Sequence, residues 1–255
     1  MRKLRHQTFI ERIMTPKSEC TTIDRNMPCE EMEQKANDLS FDILPIKGER
    51  MIEYYKKPEG IKKIQFDETI EIDAVLSTVL NRLTERNFLF VREGSDICGL
   101  LTKADLNKRE VILQIYAMLV ELERALINFI RKHFGDDLSP ENIGENESES
   151  SFSQAYERYL EDKKTNTEAT LYEYLYLSNL FNIVRKNEKL LKGLGFSSGT
   201  AFKRNTSGIN ELRNCVMHPS KFLISGENEV ETASKRIKQV QEFLFAINSA
   251  QHVPY

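Results

Sequence analysis

The sequence lacks a hydrophobic run long enough for a signal peptide or a membrane-spanning helix. Its four cysteines form no Cys-x-x-Cys pair, which argues against a zinc site and against a disulfide framework. The four histidines are far apart and lack the paired spacing of metal ligands. We therefore expect a cytoplasmic protein with reduced cysteines, without a bound metal ion and without a membrane partner.

The chain also lacks an excess of basic residues. Its formal net charge is -3 at pH 7, which argues against a protein that coats duplex DNA nonspecifically. The charge is unevenly distributed, however. Residues 135–162 contain nine aspartates or glutamates and one arginine. Residues 185–213 contain seven lysines or arginines and two glutamates. This basic stretch is either a contact surface for phosphates or simply a solvated helix face.

With 255 residues the chain is long enough for two domains, and its hydrophobic pattern changes near residue 107. Before that point, helical patterns at 29–37 and 72–83 are each followed by a short apolar strand, at 41–46 and 88–91. The same order of elements therefore occurs twice. We interpret it as a weak internal duplication of roughly 50 residues.

After that point the pattern predicts an all-helical bundle. The strongest helix is predicted at 111–134, and at about 1.5 Å per residue it is long enough to connect two domains. Gly135 is expected to end this helix. Further helices are predicted at 152–163, 168–192, about 208–218 and 231–249, and the third of these should be entered through Thr206 and Ser207 and stopped by Pro219. An exposed acidic loop is predicted at 135–151. The expected fold class is α+β, with a mixed domain at 1–109 and a helical domain at 110–255.

A pattern suited to phosphate binding ends the first domain. Residues 99–106 (GLLTKADL) follow a strand and open a helix, so Thr102 can cap that helix with Asp105 in its first turn. Oxygens of both side chains then lie beside exposed amides, which suits a phosphate at Thr102 and a ribose hydroxyl at Asp105. The alternative is a simple capping box in which Asp105 takes the place of the usual glutamate.

This segment resembles the second repeat of a cystathionine β-synthase (CBS) domain pair, and the Met-Thr-Pro run at 14–16 resembles the opening of the first repeat. The resemblance implies two repeats, at about 10–60 and 61–109. It also implies that the threonine and aspartate just described contact an adenine nucleotide (AMP, ADP or ATP) or an adenosyl compound. Residues 52–58 stand where the first repeat would need a glycine-containing strand and a second Thr-x-x-Asp. One nucleotide site is therefore expected.

The basic stretch leads into a motif formed by Arg213, Asn214 and His218. A fixed cation, a neutral amide and a titratable imidazole suit the handling of a phosphodiester. Arg213 can offset charge on a pentacoordinate phosphorus, His218 can transfer protons, and Asn214 can bind a phosphate oxygen or orient the histidine. The alternative is that Arg213 pairs with Glu211 or another acid, while His218 only caps its helix.

Arg213 and His218, with four residues between them in a helical bundle, resemble the Arg-x4-6-His motif of the HEPN (higher eukaryotes and prokaryotes nucleotide-binding) superfamily. The resemblance covers about residues 110–250. It implies a metal-independent ribonuclease that dimerises so that two motifs face one cleft, where a ribose 2′-hydroxyl attacks the adjacent phosphate. In one subgroup a nucleotidyltransferase modifies a tyrosine two positions after the histidine. Ser220 occupies that position here, so this mode of control is not expected.

Together the two resemblances predict a homodimeric endoribonuclease that cleaves RNA such as tRNA. An adenine nucleotide bound to the CBS pair would control it through the long helix. Duplex DNA is not expected as a substrate, because the nucleophile is a ribose hydroxyl. A role in stress response or phage defence follows from the resemblance alone. Two alternatives stay open: a non-catalytic bundle that binds RNA or a nucleotide, and a dimerisation scaffold for a CBS sensor.

Overall fold

The structure of the protein, a computed structural model, describes residues 8–136, 138–139, 150–166, 168–218, 221–226 and 229–251. The chain divides into two compact units, one formed by Met1–Leu113 and Phe222–Ser234, the other by Gln114–Lys221 and Lys235–Tyr255. Each unit is therefore built from two stretches that are far apart in sequence. The predicted α+β class is confirmed at this coarse level, with strands and helices before residue 109 and helices after it.

Short strands and helices follow one another in the first unit. In chain order they are α1 (Phe9–Ile13), β1 (Thr15–Pro16), α2 (Cys29–Asp38), β2 (Ile43–Pro45), β3 (Glu53–Lys56), β4 (Gly60–Lys63), β5 (Thr69–Glu71), α3 (Leu76–Glu85), β6 (Phe88–Glu93) and β7 (Asp96–Thr102). They form one sheet with the strand order β1-β7-β6-β5 and a second with the order β2-β3-β4.

The same arrangement of elements occurs twice in this unit. In the second copy β5 and β6 are parallel, α3 connects them, and β7 pairs antiparallel with β6. In the first copy Ile23 makes a parallel bridge to Ile46, α2 lies between them in the chain, and β3 pairs antiparallel with β2. Parallel strands need such a crossover connection, so the repeated helix-then-strand pattern has a physical basis.

The contact between β1 and β7 explains the glycine of the GLLTKADL segment. Gly99 is buried and pairs with Pro16 across the two strands. A Cβ atom on Gly99 would lie 2.5 Å from Sδ of Met14 and 2.8 Å from the carbonyl oxygen of Thr15. Any side chain at this position would therefore collide with backbone, and only glycine permits the observed approach.

Helices dominate the described part of the second unit, beside a 3-10 turn. They are α4 (Arg109–Phe134), α5 (Ser150–Lys163), α6 (Leu177–Lys186), α7 (Glu188–Gly193), α8 (Gly199–Met217) and α9 (Glu229–Gln251). The chain of α4 and of α9 begins in the first unit and ends in the second. Phe181 of α6, Phe202 of α8 and Phe243 of α9 pack together, with ring centroids 5.5 to 5.9 Å apart. These edge contacts hold the three helices together.

The single helix predicted at 168–192 is wrong. The structure has a 3-10 turn at Leu171–Tyr174, followed by α6 and α7. Asn187 interrupts the helical backbone, and its side-chain oxygen accepts a hydrogen bond from the amide of Leu190 at 3.0 Å. Asparagine competes with the helix in this way, so a continuous apolar pattern concealed a new helix start.

The helix predicted at about 208–218 begins earlier than expected. Ser198 precedes α8, and its hydroxyl oxygen accepts a hydrogen bond from the amide of Ala201 at 3.2 Å. Thr206, expected at the helix entrance, lies inside α8 and donates to the carbonyl oxygen of Phe202 at 3.0 Å. Its hydroxyl is satisfied within the helix, and therefore does not mark a boundary.

Most of the acidic loop predicted at 135–151 lies outside the described residues. Gly135, expected to end the long helix, does follow Phe134 and has a positive φ of 72°. None of the helices in the described ranges combines the length and the apolar character that a membrane span requires.

Replacing Gly99 by alanine should lower the free energy of unfolding by about 1–3 kcal/mol, because β1 must move to accommodate the methyl group. Denaturant unfolding followed by circular dichroism measures this change. Ser95→Ala, at an exposed position between β6 and β7, is the control and should change the value by less than about 0.5 kcal/mol. Equal stability of Gly99→Ala and wild type would contradict the close approach.

Candidate functional site

The first unit contains a cavity of about 680 Å³, within the range of roughly 300–1,000 Å³ that small-molecule sites occupy. Its lining includes the apolar side chains of Phe41, Ile43, Phe88 and Leu100, the polar residues Thr15, Asn87, Thr102 and Lys103, and the segment 224–226. The cavity thus combines ring-sized apolar surface with hydrogen-bonding groups, one cation (Lys103) and one carboxylate (Asp42).

Thr102 lines this cavity, whereas Asp105 does not. Oδ2 of Asp105 accepts hydrogen bonds from the amide of Thr102 at 2.7 Å and from its hydroxyl at 3.0 Å. Oδ1 of Asp105 lies 2.8 Å from Nζ of Lys108, and the residue is only 7% exposed. The contacts of Asp105 are therefore those of the capping alternative. Its binding of a ribose stays a prediction.

A segment from the C-terminal part of the chain forms one wall of the cavity. Nδ2 of Asn107 donates to the carbonyl oxygen of Ile224 at 2.7 Å, and the amide of Ile224 donates to Oδ1 of Asn107 at 2.8 Å. The asparagine side chain thus pairs with Ile224 as a neighbouring strand would. No local sequence pattern indicated this contact, because the two residues are 117 positions apart.

The second predicted site lies at the end of α8. This helix buries Phe202, Thr206, Ile209, Leu212 and Val216, which form its core face. Arg213 borders this face and is half-buried, whereas Asn214 and His218 are exposed. His218 is the C-cap residue with an extended backbone, so the helix ends before it as the capping alternative requires. The structure therefore places the three side chains at one end of one helix.

Arg213 does not pair with Glu211, which forms a salt bridge with Arg236 of α9 instead. The charged group that Arg213 faces is Glu123 of α4. Burial raises the pKa of the Glu123 carboxyl above its ordinary value, and the nearby Arg213 guanidinium partly lowers it again. No salt bridge joins the two.

Among the residues that the structure describes, none forms a hydrogen bond or an ion pair with the side chains of Arg213, Asn214 or His218. Asn214 and His218 are also exposed, and Arg213 is partly exposed. The predicted helix stop at Pro219 and the diagnostic Ser220 both lie outside the described residues.

Within the described ranges, no group of three or more histidine, cysteine, aspartate or glutamate side chains is arranged to hold a metal ion. The four cysteines are not joined by disulfides. Burial, followed by the negative charges of Asp105 and Glu19, raises the pKa of Cys20 to about 11. This thiol therefore stays protonated at neutral pH and is a weak nucleophile.

No protein-family model matches the chain, and a search of curated proteins finds no match either. The resemblances to CBS and HEPN proteins therefore rest on the short motifs and on the order of the helices and strands.

Asp105→Ala should lower the free energy of unfolding by about 1–3 kcal/mol, because it removes the acceptor of two hydrogen bonds from Thr102. Urea unfolding of the full chain measures the loss. Asp96→Ala is a matched control, because it removes a carboxylate whose side chain is 66% exposed. Its Oδ1 lies 3.7 Å from Nε of Arg50, whose side chain is also exposed. If Asp105→Ala is as stable as the control, the capping contacts are not formed in solution.

Proposed function

We propose that the protein is a metal-independent endoribonuclease of the HEPN type, controlled by an adenine nucleotide or adenosyl compound that binds a CBS-type first unit. The observation that carries the proposal is that no residue in the described ranges forms a hydrogen bond or a salt bridge with the side chains of Arg213, Asn214 and His218 at the end of α8. A cation, an amide and an imidazole without internal partners are what a phosphodiester substrate needs. Single-stranded RNA or a tRNA loop is the substrate.

Cleavage proceeds by attack of a ribose 2′-oxygen on the adjacent phosphorus. A bond forms from O2′ to phosphorus and the bond to O5′ breaks, which leaves a 2′,3′-cyclic phosphate and a free 5′-hydroxyl. One His218 imidazole accepts the proton of the 2′-hydroxyl, and a second, protonated copy donates a proton to the leaving oxygen. Arg213 stabilises the charge on the pentacoordinate phosphorus, and Asn214 orients the phosphate.

The need for an acid and a base at the same time supports a homodimer. Each chain supplies one copy of His218 at the end of α8. Two-fold symmetry places identical surfaces opposite each other, so two motifs can face one cleft. The exposure of Asn214 and His218 is compatible with such an arrangement.

The cavity of the first unit suits an adenine nucleotide. Phe41 and Phe88 provide apolar surface for a planar ring, while Thr102 and Lys103 provide a hydroxyl and a cation for a phosphate. The repeated order of strands and helices in this unit also supports a CBS pair.

The wall segment 224–226 offers a route by which the ligand controls cleavage. Ile224 follows His218 by six positions in the chain, and Asn107 holds it against the cavity. A ligand that contacts this wall stabilises the Asn107–Ile224 pair, and the wall segment is separated from His218 by only a few positions of the chain. This route is shorter than the one along α4 that the sequence predicts. It acts only if the ligand prefers one arrangement of the wall.

Cleavage of a labelled single-stranded RNA and of total tRNA in EDTA tests the nuclease. Arg213→Ala and His218→Ala should each reduce the rate by roughly 100-fold or more, because each removes stabilisation of the transition state. Arg204→Ala is the matched control, since Arg204 is an exposed cation of the same helix. Undiminished cleavage by both folded variants would overturn the site. RNA binding without cleavage by the wild type would support the non-catalytic alternative.

A thermal-shift screen with AMP, ADP, ATP and adenosyl compounds tests the sensor. A true ligand should stabilise the protein by about 2.7 kcal/mol at 100 times its Kd, and Lys103→Ala should weaken the binding of phosphorylated ligands.

The control route is tested by Asn107→Ala, which removes a residue that lines the cavity. This variant should bind the ligand more weakly, and even at saturating ligand concentration it should lose the ligand's effect on the cleavage rate. The matched variant is Asn81→Ala, which removes a hydrogen bond of 2.8 Å to Ser234 elsewhere in the first unit. It should keep the ligand effect. Equal behaviour of the two variants would contradict a specific role of the wall segment.

A further inference from the structure

The helical unit contains a second cavity, of about 320 Å³, between α6 and α8. Its polar lining consists of Ser178, Asn182, Arg185, Lys203, Ser207 and Asn210, together with Thr206. Two cations and several neutral hydrogen-bonding groups therefore surround one space, and its lining contains no carboxylate from the described residues. This composition attracts an anion.

Arg185 is held in this cavity without a protein partner for its Nε atom. That atom is enclosed, and in the described part of the chain no acceptor hydrogen-bonds to it. A Cβ on Gly199 would lie 2.9 Å from the carbonyl oxygen of Arg185 and 3.1 Å from its Cγ, so the start of α8 packs directly against this residue. A buried donor that lacks an acceptor is the exception in folded proteins, so the charge of the Arg185 side chain, which lines the cavity, is incompletely compensated.

One face of α8 leads from this cavity toward the candidate catalytic residues. Lys203, Ser207, Asn210 and Asn214 recur at spacings of four, three and four residues, which places them on the same side of the helix. At 1.5 Å per residue, Lys203 and Asn214 are roughly 16 Å apart along the axis. A strand that crosses this face would meet the cavity and then the end of α8.

We propose that this cavity binds a phosphodiester of the RNA strand, a few nucleotides from the phosphate that Arg213 and His218 attack. The assignment rests on the proposed ribonuclease function. Arg185 and Lys203 would neutralise the phosphate, while Ser207 and Asn210 would hydrogen-bond to phosphate or sugar oxygens. The position of the cavity favours RNA over an acidic peptide, because Lys203, Ser207 and Asn210 lie on the same face of α8 as Asn214, where a strand that reaches the proposed catalytic residues would pass.

Fluorescence anisotropy with a labelled, 2′-O-methylated single-stranded RNA tests the cavity, because such an RNA lacks the nucleophile and stays intact. Lys203→Ala and Asn210→Asp should each weaken binding about tenfold. Lys203→Ala should also reduce the salt slope of log K by about 0.7, the value for one phosphate contact on a single strand. Both positions lie at least partly exposed on the helix surface, so both variants should fold.

Asn205→Asp provides a matched control. Asn205 is exposed on α8, and its Nδ2 donates to the carbonyl oxygen of Ala201 at 2.8 Å, away from the cavity lining. This variant adds the same charge to the same helix and should bind RNA nearly as well as the wild type. Equal weakening by Asn205→Asp and Asn210→Asp would show a general charge effect and overturn the cavity.

The outcomes separate this assignment from the ribonuclease itself. In one outcome, Lys203→Ala and Asn210→Asp both bind RNA with the affinity and salt slope of the wild type while cleavage still depends on Arg213 and His218. That result would overturn the assignment of the cavity as a phosphate site and leave the nuclease proposal intact. Weakened binding in both variants of a protein that cleaves no RNA would support the cavity and overturn the nuclease. Equal displacement of RNA by poly-glutamate would overturn the choice of RNA.

Discussion

The paired hydrogen bonds between Asn107 and Ile224 are the contact on which the organisation of the first unit depends. One amide side chain satisfies both the amide and the carbonyl of a residue 117 positions away. Both bonds are short, and Ile224 is buried, with 8% of its surface exposed. The stretch Phe222–Ser234 therefore belongs to the first unit although most of its neighbours in the chain belong to the second. Without this pair the cavity would lack a wall.

The two units differ in how they hold the charged groups of their candidate sites. In the first unit, Asp105 is buried and its oxygens are occupied by Thr102 and Lys108. In the second, no described residue forms a salt bridge with Arg213, and Nε of Arg185 is enclosed without an acceptor among the described residues. Folding normally satisfies buried polar groups, as it does for Asp105. Nε of Arg92 in the first unit is a further exception within the described part of the chain.

Local patterns predicted the elements that depend on local contacts. Three features are visible in the sequence: the long apolar stripe of α4, the repeated strands and helices, and the three-residue spacing of Thr102 and Asp105. Each depends on residues that are close to one another along the chain. The same reasoning failed at Asn187 and Thr206. There the choice between capping a helix and lying inside one depends on which backbone group the side chain reaches, and both choices fit the same residues.

The sequence by itself determined which chemical groups lie at the end of α8. They are the cation, amide and imidazole of Arg213, Asn214 and His218, preceded by a short basic stretch. Only the tertiary structure decided which groups remain unpaired, since Glu211 was as close in sequence to Arg213 as any acid, yet it pairs with Arg236. Likewise, only folding could bring Asn107 to Ile224. The physical reason is the same in both cases: a side chain binds whatever partner packing places within about 3 Å, and packing joins residues irrespective of their separation in the chain.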